Sequence, residues 1–335
     1  MAAIMSVMAA AKQIMRQSGN MSQWGEGYPS EAVIRADMEK AGGFLTGGGL
    51  IAIGLLLQLC VGPVVWEAFA WPVNGIVMGG LVLMIVLMFS LRKKVTAFRF
   101  LGTYQAAIPA MVYAVLLTVV MGLTRQDGRG SWLSDMLTFW PFVLTYVYIA
   151  VVLGMTILRR LNQIVRRKSA KGFWQNVAFV LNHVGLFIAL TTATLGNADM
   201  QRVRMTTFIG EQEWRALDRD GAVKMMPLGI ELKRFIMETY DDGKPKRFAS
   251  EIRVQTKAGK TVEAVVDVNK PFEVDGWKIY QYGYDTQMGA ESRVSILELV
   301  SDPWLPLVYT GIYMMLAGAV CMFFGGNKNK KKGRR

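Results

Sequence analysis

The stretch WQNVAFVLNHVGLFIALTTATL, residues 174–195, has the length of a membrane-spanning helix and contains the only histidine in the chain. About 20 apolar residues at 1.5 Å each cross a hydrocarbon core of ~30 Å. His183 lies nine residues into the stretch, hence roughly 14 Å from its start and near the middle of such a core. A lone imidazole at that depth is costly in lipid, so it should face protein, a cofactor or a cavity.

Three further polar residues share one side of this predicted helix with His183. Asn176 precedes it by seven positions, and Thr191 and Thr194 follow it by eight and eleven. At about 100° per residue the four side chains fall within about 80° of one another. The span therefore carries a single polar stripe. Asn182 lies about 100° away from His183 and should face a different helix.

Five other stretches resemble this one in length and in their lack of charge, and the whole chain is 52% hydrophobic and only 19% charged. Because a helix satisfies its own backbone hydrogen bonds in lipid, each is predicted to be a transmembrane helix. Glycines at 42–54 and 75–80 should allow close helix packing. The sequence thus predicts an α-helical membrane bundle of six transmembrane helices, at roughly 45–66, 72–91, 103–123, 137–158, 174–195 and 304–325.

The net charge of +13 follows this topology. On one side of the membrane the two short loops hold only Arg125 and Arg129 as basic residues. Since cytoplasmic segments are rich in Lys and Arg, both termini are predicted to be cytoplasmic and residues 196–303 to lie outside. The charge needs no nucleic acid as partner; its counterpart is the lipid bilayer. Twenty basic residues lie in the four segments of the other side, at 12–40, 92–99, 159–171 and 328–335.

Residues 196–303 read as an all-β domain inserted between the fifth and sixth spans. Apolar and polar residues alternate there with the period of a strand, and an Asp-Gly turn at Asp275–Gly276 precedes an aromatic strand. Five or so antiparallel strands predict a β-sandwich or barrel-like domain. One long strand should turn a single apolar face inward, formed by Leu228, Ile230, Leu232, Ile236 and Tyr240.

The aromatic strand leaves two interpretations open. Trp277, Ile279 and Gln281 share one face, and three tyrosines share the other. The tyrosines are either a half-buried face of the sheet or a docking surface, for which an exposed tyrosine row is well suited. They are Tyr280, Tyr282 and Tyr284.

Known catalytic patterns are absent from the sequence. The β-domain has no histidine to act as a base, no nucleophile elbow and no phosphate-binding loop. Cys60 and Cys321 are separated by 260 residues and form no CxxC or CxxCH motif. No catalytic residue is therefore predicted, and the two cysteines have no assigned role.

Three roles remain for His183. It could form an interhelical hydrogen bond, act as an axial ligand of haem iron, or relay protons. A relay usually needs several titratable groups, and no Asp, Glu, Lys or Arg lies inside the six predicted spans. Haem ligated by two histidines would need its second ligand from another chain or a second copy, because this chain has only one.

Two stretches of the β-domain and their flanks resemble the ResB-like (CcsB) family of the system II cytochrome c maturation pathway. They are ELKRFIMETYDDGKPKRFASEIRV (231–254) and VNKPFEVDGWKIYQYGYD (268–285); NHVGLFIAL (182–190) and DPWLPLVYTGIYMMLAG (302–318) are similar to the flanking helices. The resemblance covers roughly 174–320. It implies that His183 provides one axial ligand to a non-covalent haem b, with a Trp-rich CcsA-like membrane protein as partner and apocytochrome c as recipient. Five spans before the β-domain are more than the family usually has.

From these points we expect a multi-pass protein of the bacterial cytoplasmic (inner) membrane. It would be a subunit of a cytochrome c haem lyase, without catalytic turnover of its own. The alternative is a membrane-anchored binding or sensory protein that recognises a ligand through its β-domain. The predicted segments are 1–44 (cytoplasmic), 45–195 (five spans), 196–303 (β-domain), 304–325 (sixth span) and 326–335 (basic cytoplasmic tail).

Overall fold

The computed structural model describes residues 30–326 apart from 129–130, 168–171, 220 and 242–243, and before them only positions 6, 9, 10, 12–14 and 17. The basic tail at 327–335, Arg16, Arg129, Lys168 and Lys171 therefore lie outside the described residues. The longer helices from residue 31 onward are α1 (Glu31–Cys60), α2 (Val73–Leu91), α3 (Thr96–Leu101), α4 (Tyr104–Leu123), α5 (Trp140–Arg167), α6 (Phe173–Gly196) and α7 (Leu305–Gly326).

Six of these helices, all except α3, are long and apolar enough to cross a membrane. The prediction of six such helices is therefore confirmed in number, but two boundaries differ. α1 ends at Cys60 instead of 66, because Gly62 has a φ of +88° and Pro63 follows it. α5 continues to Arg167 instead of stopping at 158, since arginine ends an apolar run without ending a helix.

The chain forms two compact units. The helical unit consists of residues 1–68, 75–191 and 310–335, and the β unit consists of residues 69–74 and 192–309. In the helical unit, Ile85 of α2 packs with Val151 and Met155 of α5 in a buried cluster. Many other apolar side chains of α2, α4 and α7 are exposed, as expected for helices whose outer faces contact lipid.

Glycine packing is confirmed for the first span. A Cβ atom added to Gly54 would lie 2.6 Å from the backbone nitrogen of Pro141 in α5, and Gly43 is similarly close to Gln105 in α4. Small residues allow helix backbones to approach in this way. The same expectation is not met at Gly79 and Gly80 of the second span within the described chain, because neither has a heavy atom within 4 Å of such a Cβ.

The β unit contains one continuous eight-stranded antiparallel sheet in the order β5-β4-β3-β2-β1-β8-β7-β6. All strands contribute to one buried apolar cluster, and β5 also contacts β6 and β7, so the sheet curves back on itself. The antiparallel all-β prediction is confirmed, with eight strands instead of about five. They are β1 (Gln201–Phe208), β2 (Gln212–Leu217), β3 (Val223–Thr239), β4 (Pro245–Thr256), β5 (Thr261–Asp267), β6 (Phe272–Val274), β7 (Trp277–Tyr284) and β8 (Val294–Ser301).

A register shift in β3 changes which side chains face the core. Leu228, Ile230 and Leu232 are fully buried, as predicted. The pairing with β4 then shifts between Leu232 and Arg234, and Phe235 becomes the buried residue. Tyr240, predicted to face inward, is 56% exposed, because an inserted residue moves every later side chain to the opposite face.

A second shift, between Gln281 and Gly283, divides the tyrosines of β7. Tyr282 is 48% exposed, and the guanidinium of Arg204 lies 3.9 Å from its ring centroid. Tyr284 stacks on Phe235 at 4.9 Å. The three tyrosines therefore do not form one exposed row.

Candidate functional site

His183 lies in the middle of α6 and is only partly buried. Its Nδ1 atom is 2.9 Å from the backbone carbonyl oxygen of Phe179, one turn earlier in the helix. A carbonyl oxygen can only accept a hydrogen bond, so in the neutral ring Nδ1 carries the proton. The Nε2 atom then keeps its lone pair, which is the form in which imidazole binds a metal.

The ring of Phe179 holds the imidazole in a defined plane. The centroids of the two rings lie 3.8 Å apart, and the ring planes differ by 19°. Residues four apart in a helix share a face, which explains how Phe179 reaches the ring of His183. The carbonyl bond and the stacked ring together fix the orientation of Nε2.

Arg160 of α5 contacts the same group of side chains. Its Nη2 atom donates to Oδ1 of Asn176 at 2.8 Å, and its Cζ atom lies 5.4 Å from the ring centroid of Phe179. Its Nε atom is buried and has no hydrogen-bond partner among the described residues. The expectation that the spans contain no charged residue is wrong for α5, because Arg159 and Arg160 lie inside the candidate span Trp140–Arg166.

The residues of the predicted polar stripe differ in their surroundings. The Oδ1 atom of Asn176 accepts a hydrogen bond from the guanidinium of Arg160. Thr191 donates through Oγ1 to a backbone carbonyl of its own helix at 2.6 Å, a bond that needs no second helix. Thr194 belongs to the β unit. Asn176 is therefore the member of the stripe that contacts α5.

Asn182 faces α7. A Cβ atom on Gly318 would lie 2.5 Å from the Oδ1 atom of Asn182. Further along, a Cβ on Gly185 would lie 2.6 Å from the carbonyl oxygen of Gly311. The backbones of α6 and α7 thus touch at small residues, and this contact fixes the helix that carries His183.

A separate polar group surrounds Asp199 in the β unit. Its carboxylate accepts hydrogen bonds from the backbone N–H of Trp71 at 2.8 Å, from Nδ2 of Asn74 at 2.7 Å and from Nε1 of Trp304 at 2.5 Å. Burial raises the pKa of Asp199, but the three hydrogen bonds together lower the pKa by more than burial raises it, so the net shift is downward. The group adjoins an open cavity of about 570 Å³, also lined by Gln201. A carboxylate held by three donors from its own chain is suited to positioning these segments rather than to accepting a proton.

Sequence reasoning did not identify Arg160, Phe179 or Asp199 as site residues. The spacing of Phe179, four residues before the histidine, could have indicated a stacked pair. Arg160 could have been found only by extending the fourth helix through the two arginines that follow its apolar run. The partners of Asp199 are more than 100 residues away in the chain, and no sequence signal connects them.

Comparison with known proteins identifies relatives of one part of the chain. A family model described as "ResB-like family" matches residues 167–292, a range that includes His183 and strands β1 to β7. The "Cytochrome c biogenesis protein CcsB" of Prochlorococcus marinus subsp. pastoris (strain CCMP1986 / NIES-2087 / MED4) is 30% identical over 129 residues. That match covers 38% of this chain and 28% of the relative, so the chain spans less than a third of that protein.

A solved structure of "Cytochrome c Heme Lyase CcmF" aligns with 74% of this chain and 44% of its own chain. The TM-score is 0.36 and the sequence identity is 12%. These values are too low to establish a common fold. The family model and the curated relative, by contrast, show that residues 167–292 are similar to the ResB-like family.

Proposed function

We propose that this chain, a member of the ResB-like family by its match over residues 167–292, holds haem b in the membrane for cytochrome c biogenesis. It would do so as one subunit of a haem lyase, with a CcsA-like membrane protein as partner and apocytochrome c as recipient. The observation that carries this proposal is the Nε2 atom of His183, which keeps its lone pair because Nδ1 bonds to the carbonyl of Phe179.

The residues around His183 fit a haem rather than a bare metal ion. Among the described residues, no group of three or more His, Cys, Asp or Glu side chains could hold a metal ion. Haem supplies four of the iron ligands from its own ring and needs only axial ligands from protein. One oriented imidazole in an apolar helix is therefore a sufficient contribution from this chain, and its bond to a backbone carbonyl fixes the direction of Nε2.

The second axial ligand would come from the partner. The chain has only one histidine, and low-spin haem requires a ligand on each side of the iron. His183 is only partly buried within the chain, which leaves its side of α6 accessible to a second protein. The proposal therefore places the haem at the interface with the CcsA-like subunit.

The charge distribution supports a defined orientation in the bacterial inner membrane. The connection between α2 and α4 carries Arg92, Lys93, Lys94 and Arg99, whereas α6 leads directly into the β unit. Because basic residues favour the cytoplasmic side, we propose that both termini are cytoplasmic and that the β unit lies outside. There it would be available to the apocytochrome or to the outer part of the partner.

Replacement of the ligand tests the proposed function. We expect His183→Gly to remove most of the haem that co-purifies with the complex and to abolish cytochrome c assembly, because no other histidine can replace it. Exogenous imidazole should restore haem binding in this variant but not in His183→Leu, where leucine fills the space. The measurements are the visible spectrum of the purified complex and the haem-stained cytochrome content of the cells.

The neighbouring variant Val184→Gly controls for the cost of a glycine in the helix, about 1 kcal/mol. It should retain haem. Unchanged haem content and cytochrome assembly in His183→Gly would show that the histidine is not a ligand, and would favour the membrane-anchored binding or sensory protein instead.

A further inference from the structure

Arg160 has unused hydrogen-bonding capacity inside the helical unit. One of its terminal nitrogens donates to Asn176 at 2.8 Å, while its Nε atom is buried and has no partner among the described residues. No described Asp or Glu lies within ion-pair distance of it; its remaining contact is the ring of Phe179. A guanidinium is always charged and has five N–H donors in a planar fork. The arrangement is therefore incomplete as it stands.

Arg160 is partly buried as a residue, but its Nε atom is fully buried. A buried charged donor is costly to leave unpaired, so such an atom normally has an anion or another acceptor. Asn176 supplies one neutral acceptor. The fork geometry of Arg matches carboxylate and phosphate, through two parallel N–H···O bonds. The expected ligand is therefore an anion that offers two oxygens to the guanidinium and enters from outside the chain.

The neighbours of Arg160 connect it to the histidine. Its guanidinium lies over the ring of Phe179, and that ring stacks on the imidazole of His183 at 3.8 Å. Phe179 and Asn176 precede His183 by four and seven residues in the same helix, or about 6 Å and 10.5 Å along its axis. An anion bound at Arg160 would thus lie within about two turns of the imidazole.

We propose that Arg160 binds a propionate carboxylate of the haem whose iron is ligated by His183, with Asn176 holding the guanidinium in place. This inference rests on the proposed function. Haem is a planar group with two carboxylates on one edge, and a fixed axial imidazole determines where that edge can lie. Arg160 then neutralises one propionate in the apolar bundle and fixes the rotation of the haem about the Fe–Nε2 bond.

The phosphate of a lipid headgroup is the other anion that could reach this arginine, because α5 ends only seven residues later. Two observations favour the propionate. The Nε atom is buried, and the guanidinium is directed toward α6 by its bond to Asn176. The adjacent Arg159 is exposed and donates to the carbonyl of Gly102 at 2.7 Å. Arg159 thus shows how an arginine at this level of α5 is placed when it does not contact Asn176 or Phe179.

The test compares haem with haem dimethyl ester, which has the same iron and ring but no carboxylate. The full-length chain in detergent is titrated with each compound at saturating imidazole, which fills the second axial position. We expect Arg160→Gln to weaken haem binding at least tenfold and to leave ester binding unchanged. Arg160→Lys keeps the charge but loses the fork. Its haem affinity should lie between those of Arg160→Gln and the unsubstituted chain. Arg159→Gln is the matched control and should bind both compounds as the unsubstituted chain does.

Each result decides between distinct explanations. Wild-type haem affinity in Arg160→Gln, together with loss of binding in His183→Leu, which imidazole does not rescue, would refute the propionate site and leave the proposed function intact. Equal loss of haem and ester in Arg160→Gln would show that the arginine only supports the fold, which also refutes the site. A change confined to the binding of anionic lipid would identify the lipid phosphate as the ligand. Unchanged haem binding in His183→Leu would overturn the proposed function itself.

Discussion

In the β unit the buried hydroxyls of Ser250 and Ser295 bond to each other at 2.7 Å, and Gln281 donates to Ser295 at 3.0 Å. In the helical unit the buried Nε of Arg160 bonds to nothing in the described chain. Each unit also contains a buried hydroxyl with no partner among the described residues, that of Thr256 in the β unit and that of Tyr148 in the helical unit, but a neutral hydroxyl costs far less than part of a charged group. The difference between the units is therefore the unpaired charged donor of the helical unit, which the proposed propionate would satisfy.

The largest predicted effect concerns the contact between α6 and α7, on which the position of His183 depends. Gly185→Leu would drive a side chain into the backbone of Gly311, since even a Cβ would lie 2.6 Å from its carbonyl oxygen. Overpacking of this kind costs about 3 kcal/mol or more when backbone must move. We expect a markedly lower melting temperature of the full-length chain in detergent, measured by circular dichroism.

Gly79→Leu in α2 is the matched control, because a Cβ at that position meets no atom within 4 Å. It should melt like the unsubstituted chain. Equal melting temperatures of the two leucine variants would mean that α6 and α7 do not make the close contact seen here.

The second prediction tests the buried hydrogen-bond network of the β unit. Ser295→Ala removes the acceptor of both Ser250 and Gln281, and a buried donor left without a partner costs about 1–3 kcal/mol. We expect about 2 kcal/mol of destabilisation, measured by chemical unfolding of the full-length chain and followed by tryptophan fluorescence. The double variant with Ser250→Ala should lose less than the sum of the two single losses, because the bond they share is lost only once. Strict additivity would contradict a shared network.

The sequence predicts the helices of the helical unit much more completely than it predicts which side chains of the β unit are buried. Hydropathy and length were enough to place six helices, because a membrane helix is defined by its own composition. The polar residue at the centre of the fifth span could be singled out for the same reason. Arg160 could not, because two arginines after an apolar run indicate the end of a span and not the continued helix that turns one of them inward.

In the β unit, the alternation of apolar and polar residues does not show where the pairing of two strands shifts by one residue. Leu228, Ile230 and Leu232 were placed correctly, and then the register shift after Leu232 exchanged the two faces. Phe235 took the buried position expected for Ile236, and Tyr284 joined it by the same kind of shift in β7. A bulge is a property of the paired strands, so a pattern read from one strand cannot reveal it.

The smallest predicted effect concerns Asp199, the one carboxylate of the β unit held by donors from three segments of chain. Its net pKa shift is downward from the ordinary value of 3.8. A depressed pKa means that the ionised carboxylate stabilises the fold above the ordinary pKa, and that this contribution is lost as the pH falls through the folded pKa. Asp199→Asn should therefore cost about 1 kcal/mol at pH 7, because Asp199 is partly exposed and charge-assisted bonds are weaker in water.

The difference between Asp199→Asn and the unsubstituted chain should stay constant from pH 7 to about pH 5 and shrink below pH 3.8. Melting temperatures across this range measure it, with the exposed turn variant Asp275→Asn as control. A difference that grew on acidification would mean that Asp199 is protonated in the folded protein, where its three described partners are all donors and none accepts its proton. In that case this group, like Arg160, would have bonding capacity that its own chain does not use, and the contrast between the two units would be lost.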